Sequence, residues 1–167
     1  MKRLVLWAPT VALLAACGGS AVTLQPGQWE MTTTMTNIEV PGAPAAMAEQ
    51  MRTAMANQPR TENECITPEE AANPLGNMMN QGGGTQGCTF SEQTFAGGVI
   101  RMAAACPAPQ GGGSMRTNLN GTYTATTMEA QISAEVDAGA NTPAGMPRNI
   151  RMSGTMTGRR TGDCPAS

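Results

Sequence analysis

Between Gly27 and Val40 ("GQWEMTTTMTNIEV") the chain alternates. Trp29, Met31, Thr33 and Met35 fall on one face, and Glu30, Thr32, Thr34 and Thr36 on the other. A period of two with this β-branched content predicts a strand. "PGAP" then breaks the chain and the period changes. Over residues 45–57, Met47, Met51 and Met55 recur at i, i+4 and i+8, with Ala48 and Ala54 beside them and Glu49 and Arg52 on the outer side. That spacing, with Pro44 at the entry, predicts one amphipathic helix. Residues 60–67 form a short polar strand candidate containing Cys65. Thr67 then stands as N-cap before Pro68, Glu69 and Glu70, and Asn73-Pro74 stops a brief helix. "GNMMNQGGGTQG" is a loop.

From Cys88 onward the pattern is β. "CTFSEQTF" and "VIRMAAAC" flank Ala96-Gly97-Gly98, a hairpin signal because a type I′ turn needs positive φ at both central residues. A second hairpin alternates through Met115, Thr117, Leu119, Gly121 and Tyr123, then Met128, Ala130, Ile132, Ala134 and Val136. "NIRMSGTMTG" is a last strand with Ile150, Met152 and Met156 on one face. Short strands with a turn every ten or so residues predict a mainly β fold: a curved antiparallel meander or half-barrel, covered by one packed amphipathic helix.

The first hairpin bears on the cysteines. If Gly97 and Gly98 are the two loop residues, Ala96 pairs with Val99 and Phe95 with Ile100. Cys106 then lies opposite Thr89, and Cys88 and Cys106 point to different faces. That register favours Cys65–Cys88 and Cys106–Cys164. A three-residue loop of Ala96 to Gly98 would place Cys88 opposite Cys106 and reverse the pairing.

The N-terminus changes the setting. Lys2 and Arg3 precede an apolar run, Leu4 to Ala16, too short to span a bilayer and suited to a signal h-region. Leu14-Ala15-Ala16-Cys17 resembles the bacterial lipobox. We expect a lipoprotein signal peptide over residues 1–16, lipidation of Cys17 and a tether over 17–25 in which Gly-Gly-Ser follows the cysteine. One domain follows over 26–164, with a tail at 165–167. Gly18 stands where an aspartate would suggest inner-membrane retention, so the expected location is the outer membrane, facing the periplasm. In an exported chain the four remaining cysteines read as two disulfides. None forms a Cys-x-x-Cys pair, which speaks against zinc and redox work.

Composition narrows the chemistry. Lys2 and Arg3 are two of ten basic residues, so the mature part sets eight arginines against twelve acids, a net charge of −4. A nucleic-acid footprint would be basic. Histidine is absent throughout, which removes the commonest general base and metal ligand. The only lysine lies in the signal, so no Ser-Lys pair exists. Glu69-Glu70, the one adjacent acidic pair, fits a first helical turn. No catalytic residue and no cofactor are expected. Methionine is abundant, fourteen in all, whereas only Leu24, Leu75 and Leu119 follow residue 17. Most methionines fall on predicted core faces, where the flexible thioether fills gaps. Met78-Met79, in a loop, is the pair that packing does not explain and the weak metal candidate, since thioethers accept Cu(I). Arg159 and Arg160 are candidate anion contacts, with a solvated strand end as the alternative.

Pro26-Gly27-Gln28-Trp29-Glu30, Cys65-Ile66-Thr67-Pro68-Glu69, the Cys88 to Cys106 hairpin and Gly158-Arg159-Arg160-Thr161-Gly162-Asp163-Cys164 together resemble DUF3617, a family of small exported bacterial proteins. Members typically carry a hydrophobic residue where Gln28 stands. The resemblance implies fold and location and brings no activity with it. The expected function is therefore a membrane-anchored binding or envelope-interaction module without catalysis, meeting a protein or small-molecule ligand. The alternatives are Met-based Cu(I) handling and an enzyme with an unrecognised site.

Overall fold

A computed structural model describes residues 22–74, 87–107, 112–140, 142 and 147–165. Seven strands form one antiparallel sheet: β1 Gly27–Glu39, β2 Pro59–Ile66, β3 Thr89–Ala96, β4 Val99–Pro107, β5 Ser114–Tyr123, β6 Thr127–Asp137 and β7 Asn149–Gly162. Two helices accompany them, α1 Ala45–Met55 and α2 Pro68–Ala72. The spatial order is β2-β1-β7-β6-β5-β4-β3. The meander holds from β3 to β7, and β1 then joins β7, with β2 outside it. Closure would require β2 to pair with β3. These two strands sit at opposite edges, so the sheet is open.

Directly paired residues share a face, so the register sorts the side chains. One face carries the core. Thr33, Met156, Ala130, Gly121, Ile100 and Phe95 are consecutive partners across it. Beside that row, Met31, Gly158, Met128 and Tyr123 form another. The end of the sheet holding these rows and the β3–β4 turn is termed upper, and the end holding Cys88 and Cys106 lower. Trp29, Ile100, Leu119, Tyr123, Met128 and Ala130 are buried, together with Leu24 and Ala71.

Those last two residues identify the cover. Residues 22–26 cross the upper end of the sheet and are held by backbone and aromatic contacts. Gln25 N–H donates to the Ala125 carbonyl at 2.8 Å, Trp29 Nε1 donates to the Gln25 carbonyl at 3.0 Å, and Tyr123 Oη donates to the Val22 carbonyl at 3.0 Å. Residues 22–25, expected as part of a tether, belong to the fold instead, and Leu24 is a core residue. Helix α2 packs Ala71 into the same cluster. Its start has the expected chemistry, since Thr67 Oγ1 accepts from Glu70 N–H and the Glu70 carboxylate accepts from Thr67 N–H at 2.7 Å.

The Met-striped helix forms but does not cover the core. No residue of α1 is buried, Met47 and Met51 are half-buried and Met55 is exposed. Strand β2 pairs only with residues 27–34 of β1, and α1 sits beside the remainder, where Ala48 and Arg52 border a shallow hollow with Ile38 and Val40. A bulge between Met35 and Asn37 puts Ile38, rather than Asn37, opposite Met152.

Both disulfides differ from the favoured pairs. Cys65 bonds Cys164 and Cys88 bonds Cys106. The two-residue turn is as expected: Gly97 and Gly98 have φ of 61° and 81°, and Ala96 pairs with Val99. The expected register runs as far as Glu92 opposite Ala103. A bulge then takes up Ser91, so Phe90 meets Ala104 and Thr89 meets Ala105. This one-residue slip brings Cys88 opposite Cys106, with Cα atoms 4.0 Å apart. Cys65 and Cys164 become partners because β2 and β7 both flank Gln28 of β1, at Cys65 and Gly162. The last strand is fastened to β2, not to Cys106.

Candidate functional site

Below the covered rows the same face stays apolar, with Leu119 and Ile38 buried and most other members half-buried. Met35, Gly154, Ile132, Leu119 and Met102 are consecutive partners. The next row is Ile38, Met152, Ala134, Thr117, Ala104 and Phe90. The lowest holds Ile150, Val136, Met115 and Cys106. Met102, Ala104, Met115, Thr117, Ile132, Ala134, Val136, Ile150 and Met152 are all half-buried. Among the described residues no helix lies over β4 to β7 in these rows. Single apolar residues on a surface are ordinary, and a contiguous apolar field is less so. Its chemistry is limited to shape and dispersion: methionine, alanine and valine offer adaptable contact and no donors or acceptors beyond the Thr117 hydroxyl.

The opposite face is polar. Glu39, Arg151, Glu135 and Arg116 alternate in charge across four strands, beside the row Asn37, Ser153, Ser133 and Asn118. The small side chains leave a shallow hollow of about 320 Å3. Arg151 pairs with Glu135 at 3.2 Å with both side chains solvated, an arrangement worth little energetically.

The arginine doublet is divided between the two faces. Arg159 Nε donates to Glu30 at 2.9 Å on the polar face. That hydrogen bond, and then the carboxylate charge, raise the guanidinium above its ordinary range. Arg160 pairs opposite Trp29, donates from Nε to the Pro26 carbonyl at 2.8 Å and pairs with Asp163. Both candidate anion contacts are therefore engaged within the chain, and the structure does not bring them to one site. Met31 and Met128 meet over Gly158, where a β-carbon would stand 2.6 Å from the Met31 sulfur and 2.7 Å from Met128 Cγ. This contact places both thioethers in the packing of the core. Met78, Met79 and the lipidation candidate Cys17 lie outside the described residues.

Among the described residues no charged or polar side chain is buried, and no three of Cys, Asp and Glu gather as a metal group. No described helix is long and apolar enough to cross a membrane. Alternation in the sequence names Met115, Thr117, Leu119, Ile132, Ala134, Val136, Ile150 and Met152 as members of one face, but neither Met102 and Ala104 of β4 nor the half-buried field itself. That depends on where residues 22–26 and α2 land, for which the strand pattern holds no signal.

No curated protein and no solved structure matches the chain. Residues 24–164 match the model of the family described as "Protein of unknown function (DUF3617)". The match begins at the buried Leu24 and ends at the disulfide-bonded Cys164, and the chain belongs to the DUF3617 family.

Proposed function

We propose that this chain is a lipid-anchored module of the cell envelope that holds a partner with an apolar surface on the lower half of its Met/Ala face, without catalysis. The observation that carries this reading is the run of half-buried apolar residues across β4 to β7, centred on Ala134 and Met152. Anchoring rests on Lys2-Arg3, the apolar run and Leu14-Ala15-Ala16-Cys17, which together suit export and lipid attachment at Cys17 in an outer membrane. The sheet, stapled at both ends by disulfides, supplies a rigid platform suited to an oxidising compartment.

A photo-crosslinking residue at Met152, compared with one at Thr155 on the polar face, tests the site in intact envelopes. Adducts from position 152 that vanish in an Ala134→Glu background, with the folded protein retained, support it. Equal adducts from both faces, or adducts indifferent to the buried charge, overturn it.

A further inference from the structure

The anchor and the folded chain are separated by very little. Cys17 and Val22 are five residues apart, and five residues span at most about 18 Å. Val22 is not free to swing. Its carbonyl accepts from Tyr123 Oη, and three residues on, Gln25 N–H bonds Ala125 in the β5–β6 turn. Gly98, in the β3–β4 turn, lies close to the Val22 side chain. The exit point of the tether is therefore fixed at the upper end of the sheet.

The turns at the two ends differ in charge. The upper turns are Gly97-Gly98 and Thr124-Ala125-Thr126, with no charged side chain; around them Arg159 pairs with Glu30 and Arg160 with Asp163, and the first turn of α2 carries Glu69 and Glu70. At the lower end the strands close on Glu39, Asp137, Arg148 and Arg151. A hollow of about 210 Å3 at the upper end is lined by apolar groups of Val22, Leu24, Ala71, Phe95 and Tyr123. Uncharged turns beside an apolar hollow can approach a headgroup layer with little desolvation cost, whereas charged ones resist it. The ten residues of β5 set the ends about 34 Å apart.

We infer that the upper end of the sheet, around the turns at Gly97-Gly98 and Thr124-Ala125-Thr126, is a lipid-facing surface. The domain stands on the bilayer and holds the open Met/Ala rows away from it. This rests on the anchoring reading proposed above. It deepens that reading, because a partner of those rows then arrives from the aqueous side rather than from the bilayer.

The test uses the full-length lipidated protein in phosphatidylcholine vesicles whose headgroups carry a nitroxide. A fluorophore is attached at Thr126→Cys or, separately, at Asn149→Cys, both exposed and at opposite ends. Mass spectrometry of the same samples reads the lipid on Cys17. The expected result is quenching several-fold stronger at 126 than at 149. Equal or reversed quenching on a chain that carries the lipid overturns the orientation alone. A chain without the lipid mass overturns the anchoring reading, and the orientation with it.

Discussion

In their upper rows, the same strands present Trp29, Ile100, Phe95 and Tyr123 beneath a cover, and in their lower rows Met152, Ala134, Met115 and Val136 with much less over them. The upper rows join large, stiff groups to specific partners. Phe95 and Tyr123 stack with centroids 4.3 Å apart, and the ring polar atoms of Trp29 and Tyr123 reach the carbonyls of residues 25 and 22. Aromatic groups with a polar tip reward this arrangement, because one residue fills the core and ties down the segment above it. The lower rows use small or flexible chains that lose little when half exposed. The two halves of the face thus do different work: the upper half buries large groups beneath a cover, and the lower half leaves small and flexible ones half-buried.

The largest expected break in this contrast comes from truncating one residue in each half. Trp29→Ala should cost about 3–5 kcal/mol, because a fully buried ring leaves a cavity that the rigid sheet cannot close. Met152→Ala should cost no more than about 1 kcal/mol, since a half-buried chain returns little transfer energy. Urea unfolding of the two variants reads the difference. Similar losses would mean that the lower half is packed as tightly as the upper.

The disulfides extend the comparison to the two ends. Cys65–Cys164 clamps β1 between β2 and β7 at the upper end and closes a separation of 99 residues. Cys88–Cys106 closes 18 residues at the lower end. On the chain-entropy account, a loop near 100 residues is worth about 4.7 kcal/mol and one near 15 about 3 kcal/mol. Replacing each pair by serine should therefore destabilise more at the upper end, by about 1.5 kcal/mol, as read from the two unfolding midpoints. A larger loss from the short loop would place the stabilising weight in the β3–β4 hairpin instead.

The pairing also shows where the sequence stops being legible. The Gly97-Gly98 turn is written in the residues, because few others accept positive φ twice. The register six residues further on is not. Ser91 carries no mark of a bulge, yet by dropping out of the ladder it turns Cys88 towards Cys106. The neighbours of β1 are equally silent, since a strand of alternating Thr and Met would suit any partner with the same period. Leu24 reads as tether because it precedes the first strand, and only the groove between Tyr123 and α2 makes it core. Alternation names the apolar face, Met115 to Tyr123 and Met128 to Val136. The division of that face is a tertiary fact, set by where two short segments cross it.

A smaller effect is expected at Gly158, within the covered half. A methyl group there would press on the Met31 sulfur and on Met128 Cγ. Overpacking commonly costs about 1–3 kcal/mol, and flexible thioether chains should keep Gly158→Ala at about 1. Adding Met31→Ala should recover part of that loss in a double-mutant cycle. Full additivity would show that the two side chains do not share the space over Gly158.

The smallest contrast lies in the arginine doublet, which places one side chain on each face. Arg160 reaches the Pro26 carbonyl and so helps hold the covering segment, and Arg160→Gln should cost about 1 kcal/mol, the value of a typical hydrogen bond. Arg159 meets Glu30 in solvent. Because its folded pKa is raised, the arginine's own titration leaves the stabilisation intact below the unfolded value and removes it only as pH climbs through the folded one, in strong alkali. Between pH 6 and 8 the pair should contribute no pH dependence, and Glu30→Gln should shift the melting midpoint less than Arg160→Gln, by an amount that shrinks in high salt. Thermal melts at low and high salt check both variants. If Glu30→Gln proved the more damaging, the polar face would be holding the sheet together, and the division of work between the two halves of the apolar face would have to be redrawn around it.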